Sequence, residues 1–341
     1  MIRFGLIGCG RISDSHFKAV ESIDTAEIVS CCDIVTEKAK EKAEQYKIGS
    51  YYSDYKKMIE TEKLDAVIVC TPSGLHPEIG IAASEKKLHV VTEKPMAIDL
   101  ESADALIQSC DKNKVKLFVV KQNRLNTTMQ LLKNALDKNR FGHIYLVQSN
   151  VFWQRPQSYY DQAKWRGTWE FDGGAFMNQA SHYVDALYWL IGPVDHVMAE
   201  TATMARKIET EDTGSAILKF RNGVIGTINV TLLTYPKNYE GSITVLGEKG
   251  TVKIGGIAVN RIEKWEFEDY DDDDRIVTES NYQPPNVYGF GHLPYYINVV
   301  KTLEGKAVPD IDGRDGRKSL EIIRAIYLSA KQGKKIALPL K

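Results

Sequence analysis

The chain opens with Met1-Ile2-Arg3-Phe4-Gly5-Leu6-Ile7-Gly8-Cys9-Gly10-Arg11-Ile12-Ser13, a short apolar run that leads into two closely spaced glycines. The apolar run predicts a β-strand, and the glycines permit a tight turn from that strand into a helix. Strand-like segments then alternate with helical stretches up to about residue 122. Further strands are predicted at Glu27–Cys32, Ala66–Cys70, His89–Thr92 and Lys116–Val120. This alternation predicts a parallel βαβ sheet, a Rossmann-type α/β domain over residues 1–122.

The remaining residues, 123–341, have a different pattern. Helices are predicted at Thr127–Asn139, Ala175–Leu190 and Arg317–Lys331, and an aromatic-rich strand follows the first of them. Polar and apolar residues alternate in six further segments: Val197–Ala205, Thr213–Phe220, Val224–Thr231, Ser242–Leu246, Gly250–Ile254 and Arg261–Phe267. Such alternation predicts a large, mostly antiparallel open sheet with one face exposed, and hence an α+β domain.

The composition of the 341 residues is that of a globular protein, with 43% hydrophobic and 26% charged residues and a net charge of -1. This charge balance provides no positive field, so neither nucleic acid nor an anionic membrane is expected as a partner. The acidic run Glu268–Asp274 is predicted to be a solvated loop. No segment resembles a secretory signal or a bilayer-spanning helix, and the five cysteines lack metal-site or redox spacing. We therefore expect buried thiols, no bound metal and a cytoplasmic location.

The turn Gly8–Ser13 is suited to binding a pyrophosphate. Its glycines let the backbone approach closely, and the amides at the start of the following helix stabilise negative charge. Ser13 stands where the usual third glycine would be. At the end of the second strand, Asp33 is placed to accept hydrogen bonds from a ribose. Since no arginine follows Asp33 directly, the pattern favours NAD over NADP.

Two polar segments follow later strands of the predicted parallel sheet. One is Thr71-Pro72-Ser73 with His76, and the other is Glu93-Lys94-Pro95. Ligands collect at the carboxyl ends of such strands. A lysine there can hold a substrate hydroxyl and stabilise negative charge that develops on its oxygen.

The predicted helix Ala175–Leu190 places Asn178, His182 and Asp185 on one face, at positions i, i+4 and i+7. The rest of the helix is largely apolar, and buried polar groups need a partner or a function. His182 is a candidate base, because a histidine titrates near neutral pH and can take the proton of an alcohol. A hydrogen-bonded core histidine is the open alternative.

Together, the glycine turn, Glu93-Lys94-Pro95 and the Gly173-Gly174 helix that carries His182 resemble the Gfo/Idh/MocA family of oxidoreductases over essentially the whole chain. The resemblance implies a nicotinamide cofactor on the first domain and a second domain whose sheet supports oligomerisation. It also implies a catalytic pair, in which Lys94 binds and polarises the reacting hydroxyl and His182 is the base or acid. Many members carry aspartate at the position of Asn178, so one anionic part of their catalytic set is missing here.

Longer motifs narrow the resemblance: Lys121–Asn126, Trp153–Pro156, Trp165–Trp169 and Met177–His182. They are similar to those of the UDP-N-acetyl-2-amino-2-deoxyglucuronate 3-dehydrogenases of the family, which serve bacterial surface-polysaccharide synthesis such as that of the lipopolysaccharide O-antigen. This similarity implies NAD-dependent oxidation of the C3 hydroxyl of UDP-N-acetylglucosaminuronic acid (UDP-GlcNAcA). It further implies a homotetramer that recycles its cofactor by reducing 2-oxoglutarate.

On these grounds the catalytic residues are predicted to be Lys94, His182 and Asn178. The residues predicted to bind the cofactor are Gly8, Gly10, Arg11, Ile12, Asp33, Thr71, Pro72, Ser73, His76, Glu93, Lys94 and Gln122. The residues predicted to bind the substrate are Lys94, Arg124, Asn126, Trp153, Arg155, Tyr159, Trp165, Arg166, Asn178 and His182. The arginines suit carboxylate and diphosphate groups and the aromatic rings suit sugar or uracil, although each arginine alone fits a structural ion pair or a solvated surface equally well.

Two other functions stay open from the sequence. The first is a dehydrogenase of a free sugar or of inositol within the same family. The second is a non-catalytic protein that binds NAD and contacts a partner. The presence of both Lys94 and His182 argues against the second, because a sensor of the cofactor has no need of a proton-transfer group.

Overall fold

A computed structural model describes residues 1–283 and 289–340 of the chain. The chain forms two compact units, the first of residues 1–121 with 292–317 and the second of residues 122–291 with 318–341. Within the described residues, no helix combines the length and the apolar character that crossing a bilayer requires.

The first unit contains six parallel strands and the helices that connect them. The strands are β1 (Ile2–Ile7), β2 (Ala26–Cys32), β3 (Ser50–Tyr52), β4 (Ala66–Val69), β5 (His89–Thr92) and β6 (Leu117–Val119). The helices are α1 (Ser13–Glu21), α2 (Thr36–Gln45), α3 (Tyr55–Thr61), α4 (His76–Glu85) and α5 (Leu100–Asn113). The sheet order β3-β2-β1-β4-β5-β6 is that of a Rossmann fold, with its switch point between β1 and β4. The predicted fold of this part of the chain is confirmed.

The sequence explains why this sheet is covered on both sides. All four residues of β4 are buried, as a continuous apolar strand in a doubly wound sheet requires. The five cysteines all lie in this unit and are free and buried, as predicted. The short edge strand β3 was missed in the sequence, because three residues are too few to give a periodic pattern.

The first unit also contains residues that the sequence division placed in the second domain. The helix α9 (His292–Leu303) belongs to it, because the hydroxyl of Tyr296 lies 2.7 Å from Nδ1 of His16 and the Tyr296 ring packs edge-on against Phe4. Further along, Arg317 forms a two-pronged ion pair with Asp104. The chain therefore returns to its first unit over residues 292–317, a return that local sequence pattern does not reveal.

The second unit is built on an eight-stranded sheet. Its strands are β7 (Ile144–Phe152), β8 (Val194–Ala202), β9 (Thr213–Phe220), β10 (Ile225–Thr231), β11 (Glu240–Gly247), β12 (Gly250–Gly255), β13 (Arg261–Phe267) and β14 (Ile336–Ala337). They lie in the order β13-β12-β11-β7-β10-β9-β8-β14, and only the β10–β7 pair is parallel. The mostly antiparallel open sheet predicted from the alternating segments is confirmed.

The described helices of the second unit are α6 (Thr127–Asp137), α7 (Gln157–Tyr160) and α8 (Ser181–Ile191), together with most of α10 (Gly313–Gln332). Helix α10 begins four residues earlier than predicted. The serine hydroxyl of Ser329 accepts a hydrogen bond from Ala199 N at 3.0 Å and thereby joins α10 to β8.

The acidic run Glu268–Asp274 is a surface loop up to Asp271, as predicted, and none of its residues is buried. It then enters a short 3₁₀ helix, Asp272–Ile276. Three of its carboxylates, those of Asp271, Asp273 and Asp274, pair with basic residues that follow α6. The Lys138 ammonium lies 2.6 Å from Asp271, and the Arg140 guanidinium lies 2.7 Å from Asp274. Arg140 and the other polar neighbours of Asp274 lower the pKa of this carboxyl to about 2, against the opposing effect of burial. These ion pairs join the acidic run to the residues that follow α6.

Candidate active site

The predicted pyrophosphate turn has the geometry that its glycines suggested. Gly8 has φ +100°, and a Cβ there would lie 2.6 Å from the carbonyl carbon of Cys70, so no other residue fits without a shift. A Cβ on Gly10 would meet nothing within 4 Å, and this side of the turn is therefore open. Ser13, in the place of a third glycine, begins α1 and donates its hydroxyl to Gly10 O at 2.6 Å. The serine thus stabilises the turn.

Asp33 stands at the end of β2 and organises this turn. One of its carboxylate oxygens accepts a hydrogen bond from Cys9 N at 2.9 Å, and the other accepts one from Val35 N at 2.9 Å. Each carboxylate oxygen can accept a second hydrogen bond, so lone pairs remain for ribose hydroxyls. The next side chain, Ile34, is apolar and 91% exposed, which leaves no adjacent cation for a 2′-phosphate. The residues present therefore fit NAD.

His76 joins two loops at the carboxyl edge of the sheet. Its Nδ1 lies 2.8 Å from Pro95 O and its Nε2 lies 2.9 Å from Thr71 O. Burial lowers the pKa of the imidazole, although the two carbonyls oppose this effect. Pro72 and the buried Ser73 follow in the same loop. His76 thus fixes the loops, and its predicted direct contact with the cofactor stays a prediction.

Lys94 follows β5 and is half-buried, and the preceding Glu93 is buried. One oxygen of Glu93 lies 3.0 Å from Nε2 of His16, and the other accepts a hydrogen bond from Lys94 N at 3.1 Å. Burial by itself raises the pKa of this carboxyl, but the hydrogen bond and charge of His16 lower it overall, helped by Lys94 and His292. The position of Lys94 is therefore fixed by a buried acid–imidazole pair.

His16, Glu93 and His292 form a buried cluster that sequence analysis missed. Each offers one donor atom, and these atoms lie within 4.8 Å of one another. Both ring nitrogens of His16 already contact Glu93 and Tyr296, and burial lowers the pKa of His292 to about 3. Glu93 links the cluster to the backbone of Lys94, and the expectation that the protein binds no metal stays a prediction. A histidine in the first helix after a glycine turn was the available signal.

In the second unit, the predicted continuous helix Ala175–Leu190 is interrupted. Residues Ala175–Gln179 form a π-helical turn, and α8 starts after Ala180. Asn178 therefore does not share a helical face with His182 and Asp185, and that expectation was wrong. His182 is 8% exposed in the first turn of α8, and its Nε2 lies 3.3 Å from the side-chain nitrogen of Gln122. Two of the residues predicted for different roles are thus neighbours.

Asn178, in the π-helical turn before α8, belongs to a network of polar side chains. Its side-chain nitrogen donates to the buried Asp172, and its side-chain oxygen accepts from Gln179 at 3.0 Å. Gln179 also contacts the hydroxyl of Tyr159 at 3.3 Å. Asp172 in turn accepts Gly167 N at 2.6 Å. The network connects the turn that carries Asn178 with the loop that carries the predicted sugar-binding residues.

The predicted arginine and aromatic residues form a cluster around Tyr159. The guanidinium of Arg166 lies 4.2 Å from the centre of the Tyr159 ring, and that of Arg155 lies 5.4 Å from it. Arg166 also stacks on Trp165 at 4.6 Å. Within residues 1–283 and 289–340, the buried Nε of Arg166 has no hydrogen-bond partner. This cluster offers positive charge and flat rings together, as an anionic sugar nucleotide requires.

Three other predicted substrate residues are occupied or enclosed. Arg124 is buried and forms a two-pronged ion pair with Asp185, at 2.7 and 2.8 Å. Trp153 is 4% exposed and donates its indole N–H to Ile257 O at 2.9 Å. Asn126 is buried directly before α6. The contacts of Arg124 and Trp153 favour structural roles for both residues.

Comparison with known proteins identifies the family. One family model, the NAD-binding Rossmann fold of the Gfo/Idh/MocA oxidoreductases, matches residues 2–121, and the model of their C-terminal alpha/beta domain matches residues 133–338. The chain belongs to the Gfo/Idh/MocA family of oxidoreductases. The family predicted from the motifs is thereby confirmed, as is the NAD-binding character of the first unit.

Solved structures of two dehydrogenases are similar over the whole chain. The WlbA dehydrogenase from Bordetella pertussis, solved in complex with NADH and UDP-GlcNAcA, is 53% identical, with a TM-score of 0.96 over 100% of this chain and 98% of that chain. The WlbA dehydrogenase from Chromobacterium violaceum, solved with the same two molecules, is 54% identical, with a TM-score of 0.95 over 100% of this chain and 96% of that chain. A myo-inositol 2-dehydrogenase from Thermotoga maritima is 26% identical over 99% of this chain and 98% of its own.

Proposed function

We propose that the protein is an NAD-dependent dehydrogenase that oxidises the C3 hydroxyl of UDP-GlcNAcA to the 3-keto sugar. The observation that carries the proposal is the cluster of Arg155, Tyr159 and Arg166, joined through Gln179 to the turn before His182. A neutral free sugar has no anionic group to pair with two guanidinium groups, whereas the carboxylate of a uronate and a diphosphate can both form charge-assisted hydrogen bonds with them. The two WlbA dehydrogenases were solved with UDP-GlcNAcA, which supplies both kinds of anion.

The first unit holds the cofactor in this proposal. The open side of Gly10 and the amides at the start of α1 receive the pyrophosphate, and Asp33 accepts hydrogen bonds from the adenosine ribose. Arg11, Ile12, Thr71, Pro72 and Ser73 belong to the two loops at the same sheet edge. NAD, when bound, supplies the acceptor for the hydride that leaves C3.

Lys94 and His182 divide the proton chemistry. The ammonium of Lys94 binds the reacting hydroxyl and stabilises the negative charge that develops on its oxygen. His182 takes the hydroxyl proton as the hydride departs, and the side-chain nitrogen of Gln122, 3.3 Å from Nε2, orients the ring before the substrate binds. Asn178 supplies a neutral amide where many relatives supply an acid, so it hydrogen-bonds to the sugar without competing for the proton.

Of the remaining predicted substrate residues, some contact the substrate in this proposal and others support the site. Arg155 and Arg166 bind the anionic groups, and Tyr159 and Trp165 pack on a ring of the substrate. Arg124 and Trp153 support the site from within the second unit. We further propose that the enzyme is a cytoplasmic homotetramer of surface-polysaccharide synthesis and that it regenerates NAD by reducing 2-oxoglutarate.

A second candidate is inositol oxidation, which the similarity to the myo-inositol 2-dehydrogenase of Thermotoga maritima favours. The two proposals make opposite predictions for the arginine cluster. An inositol carries no charge, so exchange of Arg166 would leave its oxidation largely unchanged.

A substrate panel with purified enzyme tests the proposed function. UDP-GlcNAcA, UDP-N-acetylglucosamine and myo-inositol are each mixed with NAD, with and without 2-oxoglutarate, and the products are located by NMR. We expect a 3-keto product from UDP-GlcNAcA alone, and loss of that product in His182→Ala while NADH binding persists. Oxidation of myo-inositol without turnover of UDP-GlcNAcA contradicts the proposal. NAD binding without oxidation of any sugar favours a non-catalytic protein.

A further inference from the structure

The turn that precedes His182 is held at its start by two residues distant in sequence. Helical segments leave their first backbone amides without partners inside the segment. In the turn Ala175–Gln179, these amides are satisfied by Glu211, from the segment between β8 and β9, and by Tyr327, from α10.

The four successive backbone amides of residues 174–177 each donate a hydrogen bond to Glu211 or to Tyr327. The Tyr327 hydroxyl oxygen accepts hydrogen bonds from Gly174 N at 3.2 Å and from Met177 N at 3.1 Å. The backbone oxygen of Glu211 accepts Ala175 N at 3.2 Å, and its Oε1 accepts Phe176 N at 2.9 Å. Tyr327 completes the arrangement by donating its hydroxyl proton to Oε1 of Glu211 at 2.9 Å.

Glu211 also leaves no room for a side chain at residue 174. A Cβ on Gly174 would lie 1.5 Å from Oε2 of Glu211, so the carboxyl rests directly against the glycine backbone. Glu211 is only 3% exposed. Residue 174, directly before the turn, must therefore be glycine.

The turn held by Glu211 and Tyr327 lies directly before the polar groups of the site. Asn178 is in the turn itself, and His182, in α8, is the third residue after its end. We propose that Glu211 and Tyr327 are positioning residues of the dehydrogenase, which set Asn178 and His182 by anchoring the amides of residues 174–177. This inference rests on the proposed function for the role of His182.

Four variants test the inference: Glu211→Ala, Glu211→Gln, Tyr327→Phe and, as a matched control, Glu209→Gln. Glu209 lies in the same loop as Glu211 and is exposed. Its carboxylate accepts a hydrogen bond from Trp169 N at 3.1 Å, and it is not among the residues that bond to the amides of residues 174–177. For each variant, kcat and KM are measured with UDP-GlcNAcA and NAD, and active sites are counted by NADH titration.

We expect kcat per NADH-binding site to fall roughly 10- to 100-fold in Glu211→Ala and roughly tenfold in Tyr327→Phe, because small misplacements of catalytic groups have effects of this size. The KM for NAD should not change, since the first unit is untouched. Glu211→Gln should recover most of kcat, because its amide oxygen still accepts from Phe176 N and Tyr327. Glu209→Gln should match the wild type.

Unchanged kcat per site in Glu211→Ala and Tyr327→Phe would overturn the inference, as would equal losses in Glu211→Gln and Glu211→Ala. If Glu211→Ala does not fold, the Tyr327→Phe measurement decides alone. His182→Ala separates this result from the proposed function: full activity there removes the assigned role of His182, whereas an inactive His182→Ala beside an unaffected Glu211→Ala removes only the positioning role.

Discussion

Asp33 shows how one side chain can both build and use a binding site. Its two oxygens hold the amides of Cys9 and Val35, and the same oxygens face the proposed ribose site. Asp33→Ala should therefore weaken NADH binding at least tenfold, which corresponds to about 1.4 kcal/mol. Fluorescence titration of NADH measures this change, with Glu37→Gln on the exposed side of α2 as the control. Equal affinities in the wild type and Asp33→Ala would contradict the role of Asp33.

Arg124 is a residue whose structural contact argues against its predicted role. Removal of one partner from a buried ion pair leaves the other charge uncompensated, at about 3–5 kcal/mol. We expect Arg124→Met to lower the free energy of unfolding by this amount, as measured by urea denaturation, because Asp185 is left buried without its guanidinium. The double variant Arg124→Met with Asp185→Leu should recover much of the loss, and the exposed Arg261→Met should have little effect. Normal stability with a raised KM for UDP-GlcNAcA would place Arg124 at the substrate instead.

Single residues were predictable where a local motif specifies them. Gly8, Gly10 and Asp33 follow from the strand, turn and strand end that surround them. The pair of Arg124 with Asp185 and the pair of His16 with Glu93 were not predictable, because their members are 61 and 77 residues apart and no local pattern joins them.

At the scale of elements, the interruption after Gln179 is the main departure from the predicted structure. Residues Ala175–Leu190 contain no proline or glycine, so helix propensity gave no reason to expect a break. The first amides of the turn instead bond to Glu211 and Tyr327, which are distant in sequence, and no local pattern indicates such contacts. Regular elements with a clear period, such as β4 and β9, were by contrast predicted nearly to their ends.

The same turn makes stability depend on pH. Burial raises the pKa of Glu211 from 4.5 to about 7, against the hydrogen bonds of Phe176 N and Tyr327, and the nearby Asp172 carboxylate adds to the increase. The folded state thus holds this proton more tightly than the unfolded chain does. The free energy of unfolding contributed by this group is therefore present below pH 4.5 and is lost as the pH rises to about 7, by about 3 kcal/mol in total.

Thermal unfolding of the wild type and Glu211→Gln between pH 5 and pH 8 measures this dependence. Because glutamine carries no charge at any of these values, the wild type should lose stability relative to Glu211→Gln as the pH rises. A constant difference between the two across this range would show that Glu211 does not titrate there.

At the scale of the whole molecule, the division of the chain was the hardest feature to predict. Two sheets of different type were evident from the change in pattern near residue 122. The return of residues 292–317 to the first unit depends on long-range packing such as that of Tyr296 on Phe4, which leaves no periodic trace in the sequence.

The proposed homotetramer gives a prediction about the exposed face of the large sheet. Met198 and Ile217 are paired neighbours on β8 and β9, with exposed fractions of 44% and 56%. Adjacent exposed apolar groups on a sheet favour contact with another protein surface. We expect Ile217→Asp to lower the molar mass measured by light scattering, with NADH binding retained, whereas the exposed Ser215→Asp on the same strand should have a weaker effect. A monomeric wild type would contradict the tetramer.

Isotope tracing determines whether the hydride leaves C3 of UDP-GlcNAcA for the cofactor that the first unit is proposed to hold. UDP-GlcNAcA deuterated at C3 is incubated with the enzyme and NAD, and the reduced nicotinamide is analysed by mass spectrometry. We expect deuterium in the nicotinamide and, when 2-oxoglutarate is present, at C2 of 2-hydroxyglutarate. A reduced cofactor without deuterium, formed from the same substrate, would show that another position is oxidised.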